Sequence, residues 1–156
     1  MVSLDRATYD FPMPALFDKL GIAFQYPENW ALDVDDAQPG AIAVTVTSPS
    51  GAFWSATMHP RDTNPRELAD IVLAAMRQEY QGLEFEPFRE TVLGLPVVGY
   101  ELNFFYVDLV GTAQVRAVEM PWTTFAIHCQ AEDREFAEIE PVFQAMTLSL
   151  LQSSAV

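Results

Sequence analysis

The sequence predicts an α+β domain, an antiparallel sheet of six or seven strands held between helices as an α/β/α sandwich. Three observations predict it. Apolar residues alternate with polar ones in segment after segment. One strongly capped helix interrupts these segments after residue 64, and a second segment of helical period closes the chain. The 156 residues suit one domain, and an apolar fraction of 50% with 19% charged residues is ordinary for a globular chain.

Residues 1–20 are mixed and proline-containing. They read as an N-terminal arm, with a short strand expected at Thr8–Phe11. The domain is expected over 21–150, and the tail 151–156 is expected to fray. Ile22, Phe24 and Tyr26 alternate with Ala23 and Gln25, the pattern of a strand with one buried face. After a turn at Pro27-Glu28-Asn29, Trp30, Leu32 and Val34 alternate with Ala31, Asp33 and Asp35, so the second strand has an acidic outer face. Asp36 to Gly40 is loop by composition. Ala41–Thr47 and Ala52–His59 then form a strand pair around Ser48-Pro49-Ser50-Gly51. Apolar residues on both faces of the return strand predict cover on two sides.

Asn64-Pro65-Arg66-Glu67 is a helix start. Asn64 can cap free amides, proline suits the first helical position, and Glu67 completes a capping box. Leu68, Ile71, Val72, Ala75 and Met76 then make one stripe, and Gly82 supplies a stop, so a helix is predicted over about 65–81. In Glu84–Val92, Pro87 argues for an edge strand or a bulge. Val97–Val107, Thr112–Glu119 and Trp122–Gln130 are joined by short turns and read as a meander. Ala113, Val115 and Ala117 face inward in the second of these, and Phe125, Ile127 and Cys129 share a face of the third. From Glu132 to Leu150 the period is helical, and Pro141 predicts a kink or two short helices.

The charge balance excludes several functions. Lys and Arg total 8 against 22 Asp and Glu, a formal charge of −14. That sign repels phosphate backbones and anionic membrane surfaces, so nucleic acid is not an expected partner, and a basic protein or a cation is. No stretch approaches the roughly 20 apolar residues of a membrane span. Cys129 is the only cysteine, which rules out an intramolecular disulfide. Met1 to Arg6 is not followed by an apolar run, and the expectation is a cytoplasmic protein.

No catalytic signature is present. The phosphate-cradling glycine loops, the Gly-x-Ser-x-Gly elbow, His-Glu-x-x-His and zinc-type cysteine pairs are all missing. His59 and His128 are the only histidines, and each reads as a structural imidazole. His128 and Cys129 are adjacent in a strand and point to opposite faces, which spoils them as a base and nucleophile. Cys129 reads as a small buried hydrophobe. No catalytic residue, metal site or cofactor is assigned.

The segment Gly21-Ile22-Ala23-Phe24-Gln25-Tyr26-Pro27-Glu28-Asn29-Trp30 resembles the glycine-hydrophobic-x-Phe-x-Tyr-Pro-x-x-Trp start of PsbP-like domains. That superfamily also includes the Ran-binding import factor Mog and DcrB-like bacterial proteins. The ending Phe143-Gln144-Ala145-Met146-Thr147-Leu148-Ser149-Leu150 is similar to the family's terminal helix, and the order of elements matches over about residues 20–150. The resemblance implies a six- or seven-stranded antiparallel sheet between helices in a bacterial protein. It implies an accessory, non-catalytic binding or assembly role. No local motif matches the Ran-binding residues, and with no lumen-targeting leader expected, photosystem attachment is not an expected role.

Two functional readings follow. In the first, an acidic surface including Asp33, Asp35 and Asp36 engages a basic protein partner. In the second, a cleft between sheet and helix, lined by Trp54, Phe105 and Tyr106, holds a small ligand or an unrecognised enzyme site. The first is the expected function.

Overall fold

A computed structural model describes residues 13–38 and 41–154. Among these residues, nine strands and two helices follow in the order β1 (Pro14–Lys19), β2 (Ile22–Pro27), β3 (Ala31–Gln38), β4 (Ala41–Thr47), β5 (Phe53–His59), α1 (Pro65–Glu79), β6 (Glu84–Val92), β7 (Leu95–Tyr106), β8 (Leu109–Glu119), β9 (Thr124–Glu132) and α2 (Asp133–Ser154). β3 to β9 form one antiparallel sheet of order β3-β4-β5-β9-β8-β7-β6, and β1 pairs with β2 in a separate hairpin. The edge place of β6 agrees with its proline, whose nitrogen has no hydrogen to donate.

The two helices lie on opposite faces, which makes the layers α/β/α. α2 and the β1–β2 hairpin cover one face. Their core joins Phe17, Ile22 and Phe24 to Trp54, Phe125, Ile127, Phe143 and Met146. Phe24 and Trp54 rings meet at 4.7 Å, and the Trp54 indole N–H donates to Thr147 of α2 at 3.0 Å. α1 covers the other face over β7, β8 and β9. Here the sheet side joins the small residues Ala113, Val115, Ala117 and Ala126 to Leu102 and Phe104, under Leu68, Ala69, Leu73 and Met76.

The cover is staggered. The α1-side core draws on β7, β8 and β9 and takes no side chain from β3, β4 or β5 among the described residues. On the α2 side the filled core centres on β4, β5 and β9, and the β6–β7 end is left as a groove.

Several expectations are corrected. Residues 14–19 of the expected arm are a strand, and the strand expected at Thr8–Phe11 lies outside the described residues. The β1–β2 loop is Leu20-Gly21 with φ of 60° and 84°, the doubly left-handed geometry of a tight hairpin turn. Asn64 caps α1 as expected, accepting from the amides of Arg66 and Glu67 at 2.9 and 3.1 Å. The buried stripe of α1, however, is Leu68, Ala69, Leu73 and Met76, and Ile71 is 67% exposed. The helix is rotated so that Ala69 meets the sheet, while Ala74 and Ala75 face outward. Pro141 does not divide α2, which is one helix from Asp133 to Ser154. Pro141 sits on the exposed side while Phe136, Phe143 and Met146 bind both flanks to the core, and this packing outweighs one lost hydrogen bond. The expected frayed tail is helical through Ser154, with Leu151 buried.

Candidate functional site

A groove runs along the α2 side of the sheet. It is a half-open cavity of about 450 Å³ between the β6–β8 end of the sheet and α2. One wall is apolar, with Val97, Val118 and Ile127 on the strands and Leu148 and Leu151 on the helix. The other is polar, with Glu101 from β7, Gln114 and Arg116 from β8, and Glu140 from α2. Apolar lining with a few convergent polar groups is the usual make-up of a ligand site.

Strand alternation puts the polar groups there. Ala113, Val115 and Ala117 point to α1, so Gln114 and Arg116 between them must point to the α2 side. The β7–β8 register sets Glu101 opposite Gln114, and the β6–β7 register sets Glu86 opposite Glu101. Arg116 forms a salt bridge with Glu101 and donates to the Tyr100 carbonyl at 3.2 Å. Its guanidinium lies 3.4 Å from the centre of the Phe88 ring. That reach depends on Gly99, which stands between Phe88 and Arg116 in the cross-strand row and has no side chain to block it. The Gln114 amide nitrogen donates to both carboxylates, to Glu140 at 2.9 Å and to Glu101 at 3.3 Å. Glu140 also receives the Gln144 amide at 3.4 Å.

Cys129 closes the inner end, with its thiol 3.7 Å from the Gln114 amide oxygen. Burial pushes the thiol pKa up to about 12, with Glu101 and Glu140 adding to the rise and Arg116 opposing it. The thiol therefore stays protonated at neutral pH and is not a nucleophile. Among the described residues no three His, Cys, Asp or Glu side chains converge as a metal-ligand set. The groove can accept hydrogen bonds through its carboxylates and enclose an apolar body.

The residues singled out from sequence lie elsewhere. Asp33 and Asp35 are exposed on the α1-side face of β3, and Asp36 falls in the register shift between Asp35 and Gln38. Trp54, Phe105 and Tyr106 do not share a cleft. Trp54 is fully buried in the α2-side core, where its burial leaves no surface for a ligand. Phe105 and Tyr106 sit at the β7–β8 tip, 69% and 59% exposed, beside Val107 and Leu109. His128 lies on the α1-side face with its ring edge-on to Phe53, and burial lowers its pKa against the opposing effect of its hydrogen bond to the Gln130 amide oxygen.

Sequence reasoning missed Gln114, Arg116, Glu101 and Glu140. The signal was a Gln and an Arg alternating with three small apolar residues in a central strand, where both faces are covered. No helix among the described residues is long and apolar enough to cross a membrane.

No known family model and no curated protein sequence matches the chain. Solved structures do. The solution structure of the cyanobacterial PsbP (CyanoP) of Synechocystis sp. PCC 6803 matches with a TM-score of 0.63 at 14% identity, covering 87% of this chain and 90% of that one. A Pseudomonas aeruginosa protein of unknown function, PA94, matches with a TM-score of 0.51 at 10% identity, covering 88% of this chain and 95% of that one. Likeness at these identities is one of fold, and the fold of this chain is PsbP-like.

Proposed function

We propose that this chain is a non-enzymatic binding or assembly-accessory protein whose acidic surface engages a basic protein partner. The observation that supports this reading is the staggered cover of the sheet. The α1-side face of β3–β5 contributes nothing to the helix core and carries Asp33, Asp35, Thr45, Ser55 and Thr57, with Ala43 and Phe53 as apolar residues among them. Thr45 donates to Ser55 across the strands at 3.0 Å, so the surface is ordered as well as polar. An overall charge of −14 steers a basic partner towards it, and screening weakens that steering.

The test is a tagged pull-down from native lysate at low and high salt, comparing wild type with the Asp33→Asn, Asp35→Asn double variant. The expected result is a basic partner kept at low salt, lost at high salt and lost with the variant. Association indifferent to both would remove the reading.

A second reading, small-ligand binding, is favoured by the groove beside α2, which joins a half-open cavity to convergent carboxylates.

A further inference from the structure

We infer that the groove between the β6–β8 end of the sheet and α2 binds an organic cation, an amine carrying an apolar body. The inference rests on the small-ligand reading of that groove and gives it a ligand class.

Charge decides the class. Glu90, Glu101 and Glu140 line the groove against one guanidinium, that of Arg116. Arg116 is already engaged by Glu101, by the Tyr100 carbonyl and by the Phe88 ring, so it offers little to an incoming anion. Glu140 is held by the neutral amides of Gln114 and Gln144. Outside the groove proper, Glu86 stands directly across from Glu101 on β6, a like-charge pair that destabilises strand pairing. A cation entering here relieves that repulsion, while an anion adds to it.

Shape and donor chemistry narrow the class further. The apolar wall of Val97, Val118, Leu148 and Leu151 has no use for a bare hydrated ion. A hard metal ion wants six or more oxygen ligands, whereas the group between Glu101 and Glu140 is an amide nitrogen that donates. An ammonium on an aliphatic or aromatic body satisfies both walls. Its N–H groups donate to Glu140 and its body covers the valines and leucines. The volume of about 450 Å³ suits a small ligand of that kind.

The test is an amide NMR titration with three probes of one shape: phenylbutylamine, phenylbutanol and phenylbutyrate. The amine is expected to shift the amides of the groove residues and to bind about tenfold tighter than the alcohol, with the carboxylate weakest. Glu140→Gln keeps an acceptor for Gln114 and is expected to bring the amine down to the affinity of the alcohol, with the alcohol unchanged. Leu148→Arg, at the half-open rim, places a competing cation in the groove and is expected to weaken the amine as well. An alcohol or carboxylate as tight as the amine would overturn the cation assignment and leave the groove as a site. No groove shift with any probe would overturn both.

Discussion

Two neighbouring rows of side chains cross the seven-stranded sheet, and their polarity runs in opposite directions. One row, on the α2 side, reads Leu32, Val46, Trp54, Cys129, Gln114, Glu101, Glu86 from β3 to β6. It is apolar at the β3 end and ends in a carboxylate pair. The next row, on the α1 side, reads Asp33, Thr45, Ser55, His128, Val115, Tyr100, Pro87. It is polar at the β3 end and becomes apolar under α1. Each helix layer buries one half of one face, and the halves are diagonal to one another. The polar halves therefore mark the two surfaces that the described helices leave for other molecules. Both are acidic, one flat and one grooved.

The largest test of this contrast compares the two ends of the α2-side row. Trp54 is fully buried, touches Phe24 and donates to Thr147. Trp54→Ala is expected to cost about 3–5 kcal/mol in urea unfolding, from lost burial, a cavity and an orphaned hydroxyl. Glu86→Ala, at the exposed end of the same row, is expected to change stability by less than about 0.5 kcal/mol. Equal effects at the two ends would mean that the row is not divided into a dry half and a wet half.

A smaller effect is expected at Gly99, which lies in the groove half. A methyl group there would overlap the carbonyl oxygen of Val115 and stand 2.7 Å from its carbonyl carbon. Backbone cannot swing aside as a side chain can, so β7 and β8 must part locally. Gly99→Ala is expected to cost about 1–3 kcal/mol and to separate Arg116 from Phe88. Urea unfolding reads the first effect. Faster hydrogen exchange at the β7 and β8 amides, with β4 and β5 unchanged, reads the second. Stability within about 0.5 kcal/mol of wild type would show that the strands have room to spare.

The fold was legible in sequence to the extent that local signals agreed with tertiary packing. Asn64-Pro65 located α1 because a cap is a local interaction. Pro87 located the edge strand for the same kind of reason. The β1–β2 and β6–β7 loops were not legible as hairpin turns, since Leu20-Gly21 and Leu93-Gly94 put leucine where a left-handed φ favours asparagine or glycine. The groove was lost through register. Ending one strand at Val107 and starting the next at Thr112 hides the pairing. The observed Tyr106 and Leu109 pair counts back to Glu101 opposite Gln114. Trp54 misled because an aromatic in a strand with two apolar faces looks the same whether it fills a core or lines a pocket. Which face α2 would cover is a non-local fact.

The smallest expected effect tests the boundary of the α1-side row, where polar Ser55 gives way to Val115 across His128. Burial lowers the His128 pKa below its ordinary 6.5, and the contact of 3.1 Å to Gln130 offsets only part of that. His59 is lowered by burial too. A histidine whose folded pKa is depressed takes up its proton more readily in the unfolded chain. Its neutral form therefore contributes full stability above about pH 6.5, and that contribution falls as pH drops towards the folded pKa. Urea unfolding between about pH 7.5 and 5.5, above the main carboxylate range, is expected to show stability declining with pH. His128→Gln cannot protonate and should flatten the decline to the part that His59 carries. An unchanged slope in the variant would place His128 in solvent-like surroundings, and the row would then be polar one strand further than its burial indicates.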